Sequence, residues 1–150
     1  HVAIMAEVRK SVLIEYSAGQ MFHLVDAVED YPQFLPWCGG TELIHRDEAK
    51  TVATLHMNYH GIKADVATEN DKESPVCMKS TLRHGPFEHL DGCWHFKPLG
   101  ETACKVEFQL HYEFASKLLE KALGPVFHHI ANTFVDSFVR RASQVYAQNG

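Results

Sequence analysis

A broad apolar and aromatic stripe near the C-terminus constrains the fold of this chain more than any other feature. Its members recur every three or four residues, as side chains on one face of a helix do: Phe127, Ile130, Phe134, Phe138, Ala142 and Val145. His128, Asn132 and Asp136 fall on the opposite face. A helix with so wide an apolar face must be covered by something large and concave. We expect Gly124-Pro125 to separate this helix from a shorter one before it, since proline favours a first helical position.

Between about residue 41 and residue 114 the pattern predicts antiparallel strands joined by short turns. The last strand is the clearest, because Val106, Phe108, Leu110, Tyr112 and Phe114 alternate with Lys105, Glu107, Gln109, His111 and Glu113. Turns are predicted at residues 47–50, His60-Gly61, residues 71–75, residues 84–86 and Gly100. One apolar face and one polar face are typical of an antiparallel sheet that is buried on one side.

The chain begins with a strand followed by a helix. Apolar and polar residues alternate over residues 8–14, which predicts a strand with one buried face. Ser17 and Gln20 have the spacing of a capping box, so a helix is predicted to start after Ser17. We expect Tyr31-Pro32 to end this helix, because the residue before a proline is driven out of the helical region.

The order of these elements predicts an α+β domain: a curved antiparallel sheet of six or seven strands around the long C-terminal helix, with two short helices after the first strand. A strongly twisted sheet curves. One helix of about 10–12 Å diameter need not fill the concave side of such a sheet. An apolar cavity between them is therefore our hypothesis, and a core packed solid with side chains is the alternative that the pattern leaves open.

Length and charge limit the function. The 150 residues suit one domain; we interpret His1 to Ile4, ahead of Met5, as a cloning remnant and residues 5–150 as the domain. No apolar run approaches the ~18 residues that span a bilayer, so a cytoplasmic protein is the simplest expectation. The formal net charge of −5 argues against DNA as a partner, because broad phosphate binding needs a basic face.

The sequence shows no pattern typical of catalysis or metal binding. The G-x-S-x-G elbow, the H-E-x-x-H motif and glycine-rich phosphate loops are absent. Asp65, Glu69 and Glu107 fall on strand faces assigned to solvent, where acid–base catalysis is not expected. We interpret the eleven histidines as surface residues and the four cysteines as reduced thiols. We therefore assign no catalytic residue, no metal ligand and no required cofactor.

Two segments carry a resemblance to a known family. Residues 31–38 read YPQFLPWC and residues 85–96 read GPFEHLDGCWHF; the strand through Val106-Glu107-Phe108 and the helix around Pro125-Val126-Phe127 also fit. From about residue 6 to residue 146 the chain resembles the START-like ubiquinone-binding and polyketide cyclase-like proteins, and within them the bacterial branch of ribosome-association toxins. The resemblance implies a helix-grip fold of the START or Bet v type with an internal cavity.

Three functions of different classes follow from the resemblance. The first is non-enzymatic binding of a hydrophobic small molecule, ubiquinone or another polyprenyl lipid, in support of respiration or lipid transport. The second is a toxin that binds the large ribosomal subunit and blocks association of the subunits. The third is an aromatic polyketide cyclase. We expect a bacterial cytoplasmic protein, with transient, peripheral contact at the inner membrane as a second option.

The candidate site residues follow from these hypotheses. We interpret Phe34, Leu35 and Trp37 as a lid over one end of the cavity. The candidate wall residues, for which ordinary core packing is the competing explanation, are Leu55, Met57, Tyr59, Val66, Met78, Leu82, Trp94, Phe96, Phe108, Leu110 and Tyr112 on the sheet, and Val126, Phe127, Ile130, Phe134 and Phe138 on the helix. The basic candidates for facing the ribosome are Lys117, Lys121, Arg140 and Arg141, and ordinary solvated helix charges are the alternative explanation.

Overall fold

The computed structural model describes residues 5–147, so the interpretation of His1 to Ile4 lies outside the described residues. The described chain forms seven strands, two α-helices and one 3₁₀ helix. In chain order these are β1 (Ala6–Ile14), α1 (Ala18–Asp26), the 3₁₀ helix (Val28–Gln33), β2 (Cys38–Arg46), β3 (Lys50–Tyr59), β4 (Ile62–Glu73), β5 (Cys77–His84), β6 (Phe87–Pro98), β7 (Cys104–Phe114) and α2 (Lys117–Tyr146). The α+β class, the strand number and the two short helices after β1 are confirmed.

All seven strands form one antiparallel sheet in the order β1-β7-β6-β5-β4-β3-β2. Strands β2 to β7 are a meander, and β1 returns to pair with β7. Register shifts interrupt the ladders between Cys38 and Gly40, between Leu43 and His45, between Ala67 and Thr68, and between Phe87 and His89. Such irregularities bend strands and increase their twist, which curves the sheet around α2.

The start of α1 follows the prediction, but its end does not. Ser17 Oγ accepts a hydrogen bond from the Gln20 backbone N–H at 3.1 Å, and Gln20 Oε1 accepts one from the Ser17 N–H at 2.8 Å, which completes the capping box. The helix ends at Asp26 rather than at Tyr31-Pro32. Arg46 donates a hydrogen bond to the Asp26 carbonyl at 2.7 Å, and the chain tightens into a 3₁₀ helix that contains Pro32.

The prediction that Gly124-Pro125 separates two helices is wrong, since α2 runs without interruption through both residues. Proline removes one backbone hydrogen bond but does not force a helix to end when packing holds both sides. Gly124 is buried, and a Cβ there would lie 4.0 Å from the Phe114 ring. One turn later, the Phe127 ring packs on Phe87 with 4.7 Å between ring centroids.

The predicted turn at residues 71–75 is also wrong in its bounds. Strand β4 continues to Glu73, where it pairs with Cys77, and the turn occupies residues 74–76. The Lys72 side chain is only 5% exposed and its Nζ lies 3.1 Å from Asp26 Oδ2, which favours the extended strand over an earlier turn. The His60-Gly61 turn is confirmed, with φ values of 51° and 81° in the left-handed region that such hairpins need.

The core lies between the concave face of the sheet and the apolar stripe of α2. The stripe is buried at Phe127, Ile130, Phe138 and Ala142, whereas Val145 is exposed near the end of the helix. Helix α1 packs between α2 and the strands β6 and β7. No helix in the described part of the chain has both the length and the apolar composition needed to cross a membrane.

Candidate ligand-binding cavity

A cavity of about 110 Å³ lies between the concave face of the sheet and the middle of α2. The structure therefore contains unfilled space between the sheet and α2. Its walls are almost entirely apolar, and they come from both short helices, the loop before β2, strands β3 to β7 and α2: Val25, Val28, Tyr31, Trp37, Leu55, Met57, Val66, Thr68, Asn70, Met78, Ser80, Leu90, Gly92, Trp94, Phe108, Leu110, Phe127, Ile130, Ala131 and Phe134.

Most of the predicted wall residues are brought together at this cavity. Those that line it are Trp37, Leu55, Met57, Val66, Met78, Trp94, Phe108, Leu110, Phe127, Ile130 and Phe134. Those that do not are Phe34, Leu35, Tyr59, Leu82, Phe96, Tyr112, Val126 and Phe138. For the strand residues of both sets, alternation identified the correct face, but it did not indicate which side chains pack against each other and which leave a space.

Three of the residues that do not line the cavity, Phe34, Phe96 and Phe138, pack beside it. Phe138 is fully buried, with ring centroids 5.4 Å from both Tyr31 and Trp94 and 5.2 Å from Phe34. Phe96 is also fully buried and stacks on Trp94 at 5.8 Å. These aromatic contacts fill the end of the core next to the cavity.

Tyr112 does not line the cavity because the neighbouring aromatic rings enclose it. Its ring centroid lies 4.8 Å from Phe127 and 6.2 Å from Phe87. The Tyr112 hydroxyl forms a hydrogen bond with Nδ1 of His128 on α2. Burial raises the pKa of Tyr112 to about 12. The polar end of this side chain is therefore occupied by a helix residue rather than turned towards the cavity.

The polar part of the cavity wall was missed by the sequence analysis. Ser80 Oγ donates a hydrogen bond to Asn70 Oδ1 at 2.6 Å, from directly paired positions on β4 and β5, and Thr68 lies two residues along β4. Asn70 is only 6% exposed. The alternation that placed Val66 and Thr68 on the inner face extends to residue 70, but a turn expected at residue 71 hid this signal.

Of the three residues predicted to close the cavity from the lid segment (residues 31–38), one, Trp37, lines it. Trp37 and Tyr31 line it, while Leu35 is fully buried in the core and Phe34 lies outside the cavity. The Tyr31 hydroxyl donates a hydrogen bond to the Val25 carbonyl, which ties the 3₁₀ helix to α1. Burial, assisted by the negative charge of Asp26, raises the pKa of Tyr31 far above its ordinary value, so this phenol stays neutral.

The basic candidates do not form one patch. Lys117 and Lys121 are exposed in the first turns of α2, and Arg140 lies about 28 Å further along the axis at 1.5 Å per residue. Arg141 is engaged inside the molecule: it donates a hydrogen bond to Gln33 Oε1 at 2.9 Å, and its guanidinium carbon lies 5.2 Å from the centroid of the Phe34 ring. These contacts connect the end of α2 to the 3₁₀ helix and to Phe34.

The strand carboxylates lie on the outer face of the sheet, as predicted. Each has a cationic or imidazole partner: Glu69 lies 2.8 Å from Lys50 Nζ, Glu107 lies 2.8 Å from Lys97 Nζ, and Asp65 lies 2.7 Å from His56 Nδ1. These pairs hold the pKa of Glu69 and that of Glu107 below their ordinary values. None of these carboxylates lines the cavity.

A curved antiparallel sheet that grips one long helix over an apolar cavity defines a START-like protein of the helix-grip class. Solved structures agree. The Zhui aromatase/cyclase of a Streptomyces species superposes with a TM-score of 0.78 at 15% identity, covering 98% of this chain and 99% of that one. A START superfamily protein from Mycobacterium smegmatis superposes with a TM-score of 0.73 at 19% identity, covering 93% and 98%. At these identities the likeness shows the fold alone.

Sequence comparison identifies the family. The family model described as "Polyketide cyclase / dehydrase and lipid transport" matches residues 14–139, and the chain belongs to this family. The ribosome association toxin RatA of Vibrio cholerae is 43% identical over 144 residues, which cover 96% of this chain and 100% of that protein. The mitochondrial coenzyme Q-binding protein COQ10 homolog B of Xenopus laevis is 25% identical and covers 95% of this chain and 60% of that protein.

Proposed function

We propose that this protein binds a hydrophobic, ring-bearing lipid, ubiquinone or a related polyprenyl quinone, in the cavity and performs no chemistry on it. The observation that carries the proposal is an apolar cavity with a small polar patch, Thr68 and the hydrogen-bonded Asn70–Ser80 pair, in its wall. Ligand sites of this type use apolar walls for affinity and a few polar groups for orientation. The relative named as a coenzyme Q-binding protein supports the choice of a quinone.

Asn70 is suited to orient the ring. Its amide oxygen accepts the hydrogen bond from Ser80, so the two N–H groups of the amide are the donors that it can offer to a ligand. A quinone presents carbonyl acceptors on a flat apolar ring. We therefore place a quinone carbonyl against Asn70 and the ring between the sheet and Phe134 of α2.

The size of the cavity determines how such a ligand enters. A volume of 110 Å³ is below the roughly 150 Å³ of an apolar cavity that holds benzene. A substituted quinone ring with an isoprenoid tail therefore requires the walls to move apart. The tail would gain roughly 25 cal/mol for each Å² of apolar surface that it buries, which offsets the cost of opening.

A non-enzymatic role is supported by the composition of the walls. Tyr31 is the one ionisable residue among the lining residues; its hydroxyl is engaged by Val25, and its raised pKa keeps it neutral. General acid–base catalysis needs a group within reach of the substrate with a pKa near the working pH. The aromatic polyketide cyclase thus remains the weaker alternative.

Tryptophan fluorescence gives a direct test, because the chain has two tryptophans and both Trp37 and Trp94 line the cavity. We expect a ubiquinone with a short alkyl tail to quench this emission saturably. An organic extract of the purified protein, analysed by mass spectrometry, should contain a quinone-like lipid. A clean extract together with no quenching by added quinone would remove the proposal.

Two variants locate the ligand. Ala131→Leu fills the cavity from α2, and we expect it to abolish quenching; Ala122→Leu, at an exposed position of the same helix, is the matched control. Asn70→Leu keeps the branched shape of the side chain but removes the donors. We expect it to weaken quinone binding by up to about tenfold, the value of one hydrogen bond, and to leave binding of an alkylbenzene unchanged. Thermal unfolding verifies that each variant is folded.

A second candidate function, association with the large ribosomal subunit as a toxin that blocks subunit joining, is favoured by the 43% identity to RatA over nearly the whole chain. Co-sedimentation with large subunits in moderate salt tests it. We expect Lys117→Glu combined with Lys121→Glu to weaken co-sedimentation, and Lys63→Glu on β4 to have no effect. Absence of co-sedimentation by the unmodified protein would exclude this candidate and leave the quinone proposal standing. A cytoplasmic location with transient membrane contact suits both candidates and stays a proposal.

A further inference from the structure

Two thiols and one imidazole meet on the outer face of the sheet, on the side opposite the cavity. Cys77 on β5 pairs directly with His95 on β6, and Cys93 lies two residues before His95 on the same strand. Met78 and Trp94, their neighbours in sequence, point into the cavity, so Cys77, Cys93 and His95 point outwards. The two sulfur atoms and a ring nitrogen of His95 all lie within 4.8 Å of one another.

This spacing is close to what a tetrahedral metal ion requires. With zinc–sulfur bonds of about 2.3 Å and zinc–nitrogen bonds of about 2.0–2.1 Å, the ligand atoms of such a site lie roughly 3.6–3.8 Å apart. The three ligand atoms, all within 4.8 Å of one another, would have to move closer by roughly 1 Å at most to reach this separation. Thiol and imidazole ligands favour Zn²⁺ and Cu⁺ over Mg²⁺ and Ca²⁺, which prefer oxygen.

The strands hold the three groups in a fixed arrangement. Both β5 and β6 are interior strands of the sheet, hydrogen-bonded to a neighbour on each side. Cys77 is buried, Cys93 is partly buried and His95 is exposed. The cluster therefore rests against the sheet on one side and is open to solvent on the other. An ion could enter from this side without any change in the cavity.

A disulfide explains the two thiols less well. Cys77 and Cys93 occupy diagonal positions of an antiparallel pair, where Cα atoms lie about 7–8 Å apart. A disulfide usually needs less than about 6.8 Å. Both cysteines are free thiols in the structure.

We propose that Cys77, Cys93 and His95 form a binding site for a thiophilic metal ion, Zn²⁺ in the first instance, with water in the fourth position. Binding would replace the two thiol protons, which pass to solvent, by the metal ion. Burial and the neighbouring Cys77 raise the pKa of Cys93 to about 11, so without a metal ion this thiol keeps its proton at neutral pH. The site does not depend on the proposed quinone binding.

Titration of the metal-free full-length protein with Co²⁺ and Zn²⁺ tests the site. We expect one Co²⁺ per chain, with the intense ultraviolet charge-transfer band that thiolate ligands give, and displacement of this Co²⁺ by one Zn²⁺. Cys93→Ala and His95→Gln should each weaken Zn²⁺ binding by more than the roughly 10–100-fold that loss of an outer-shell partner costs.

Matched variants keep the test specific. Cys104→Ala removes a buried thiol from β7, and His89→Gln removes an exposed imidazole from β6. Both should leave the charge-transfer band and the Zn²⁺ affinity unchanged. Uptake of Co²⁺ without the thiolate band, absence of saturable Zn²⁺ binding, or binding that survives Cys93→Ala and His95→Gln would each overturn the proposal.

Discussion

Glu29 in the 3₁₀ helix and Arg46 at the end of β2 form a bidentate ion pair. Two hydrogen bonds of 2.7 and 2.8 Å join the guanidinium to both carboxylate oxygens, and Arg46 also donates to the Asp26 carbonyl. This pairing lowers the pKa of Glu29 from 4.5 to about 2. A carboxyl whose pKa is lower in the folded state stabilises the fold above its unfolded pKa and loses that contribution as the pH falls.

The predicted consequence is a pH-dependent stability between about 4.5 and about 2. We expect Glu29→Gln to lower the free energy of unfolding at neutral pH and to remove part of its decline over this interval. The side chain is 47% exposed, so solvent screening keeps the effect small. Urea unfolding at several pH values measures it. Glu88→Gln, at an exposed position of β6, serves as the control, and an unchanged pH profile in Glu29→Gln would contradict the prediction.

Phe138 lies among four other aromatic rings of the core. It is fully buried and contacts rings from the lid segment, from β6 and from its own helix, including Phe134 at 5.1 Å. We expect Phe138→Ala to reduce the free energy of unfolding by about 3–5 kcal/mol, because the ring leaves a cavity. Leu118→Ala, at a position of α2 that is 77% exposed, should change it by less than about 0.5 kcal/mol. Denaturant unfolding compares the two.

At the scale of elements, the 3₁₀ helix and the end of α2 form the junction that would open for a ligand. Arg141 connects them through Gln33 and Phe34, whereas Arg140, the preceding residue, contacts Ser137 within α2. A cation over an aromatic ring at a partly exposed site stabilises by roughly 0.5–1 kcal/mol. The Arg141 contact therefore contributes only a small part of what holds this junction together, beside the packing of Phe138 on Tyr31 and Phe34.

If this junction limits entry, loosening it accelerates binding. We expect Arg141→Ala to increase the rate at which a short-tailed ubiquinone quenches tryptophan emission. Arg140→Ala removes an equal charge but keeps the contacts of Arg141 with Gln33 and Phe34, and it should leave the rate unchanged. Stopped-flow fluorescence measures both rates. Equal rates in Arg141→Ala and the unmodified protein would place the entrance elsewhere.

At the scale of the whole molecule, the cavity makes stability depend on the ligand. A ligand that binds only the folded state stabilises it by mass action, by about 2.7 kcal/mol at a concentration of 100 times Kd. We expect quinone to raise the unfolding temperature of the unmodified protein and not that of Ala131→Leu, in which the cavity is filled. Differential scanning calorimetry tests this, and an equal rise in both proteins would show that the quinone binds outside the cavity.

Local patterns determined most of the elements of this protein. The side-chain periods of strands and helices act within a few residues, so alternation at Val106 to Phe114, the capping box at Ser17 and the stripe through Phe138 could be recognised without coordinates. The family motifs then indicated the helix-grip arrangement of these elements. The face of each strand that meets the core follows from the same alternation.

Tertiary structure alone decided what depends on packing between distant parts of the chain. Pro125 stays inside a helix because Phe114 and Phe87 support the turns around it. Phe138 is packed while Phe134 lines a space, although both belong to one stripe, because the rings of Tyr31 and Phe34 enclose Phe138. Cys77 meets His95 only through strand pairing. The period of a sequence pattern specifies the direction in which side chains point. Unfilled space and contacts between distant residues arise only when separate elements pack against each other.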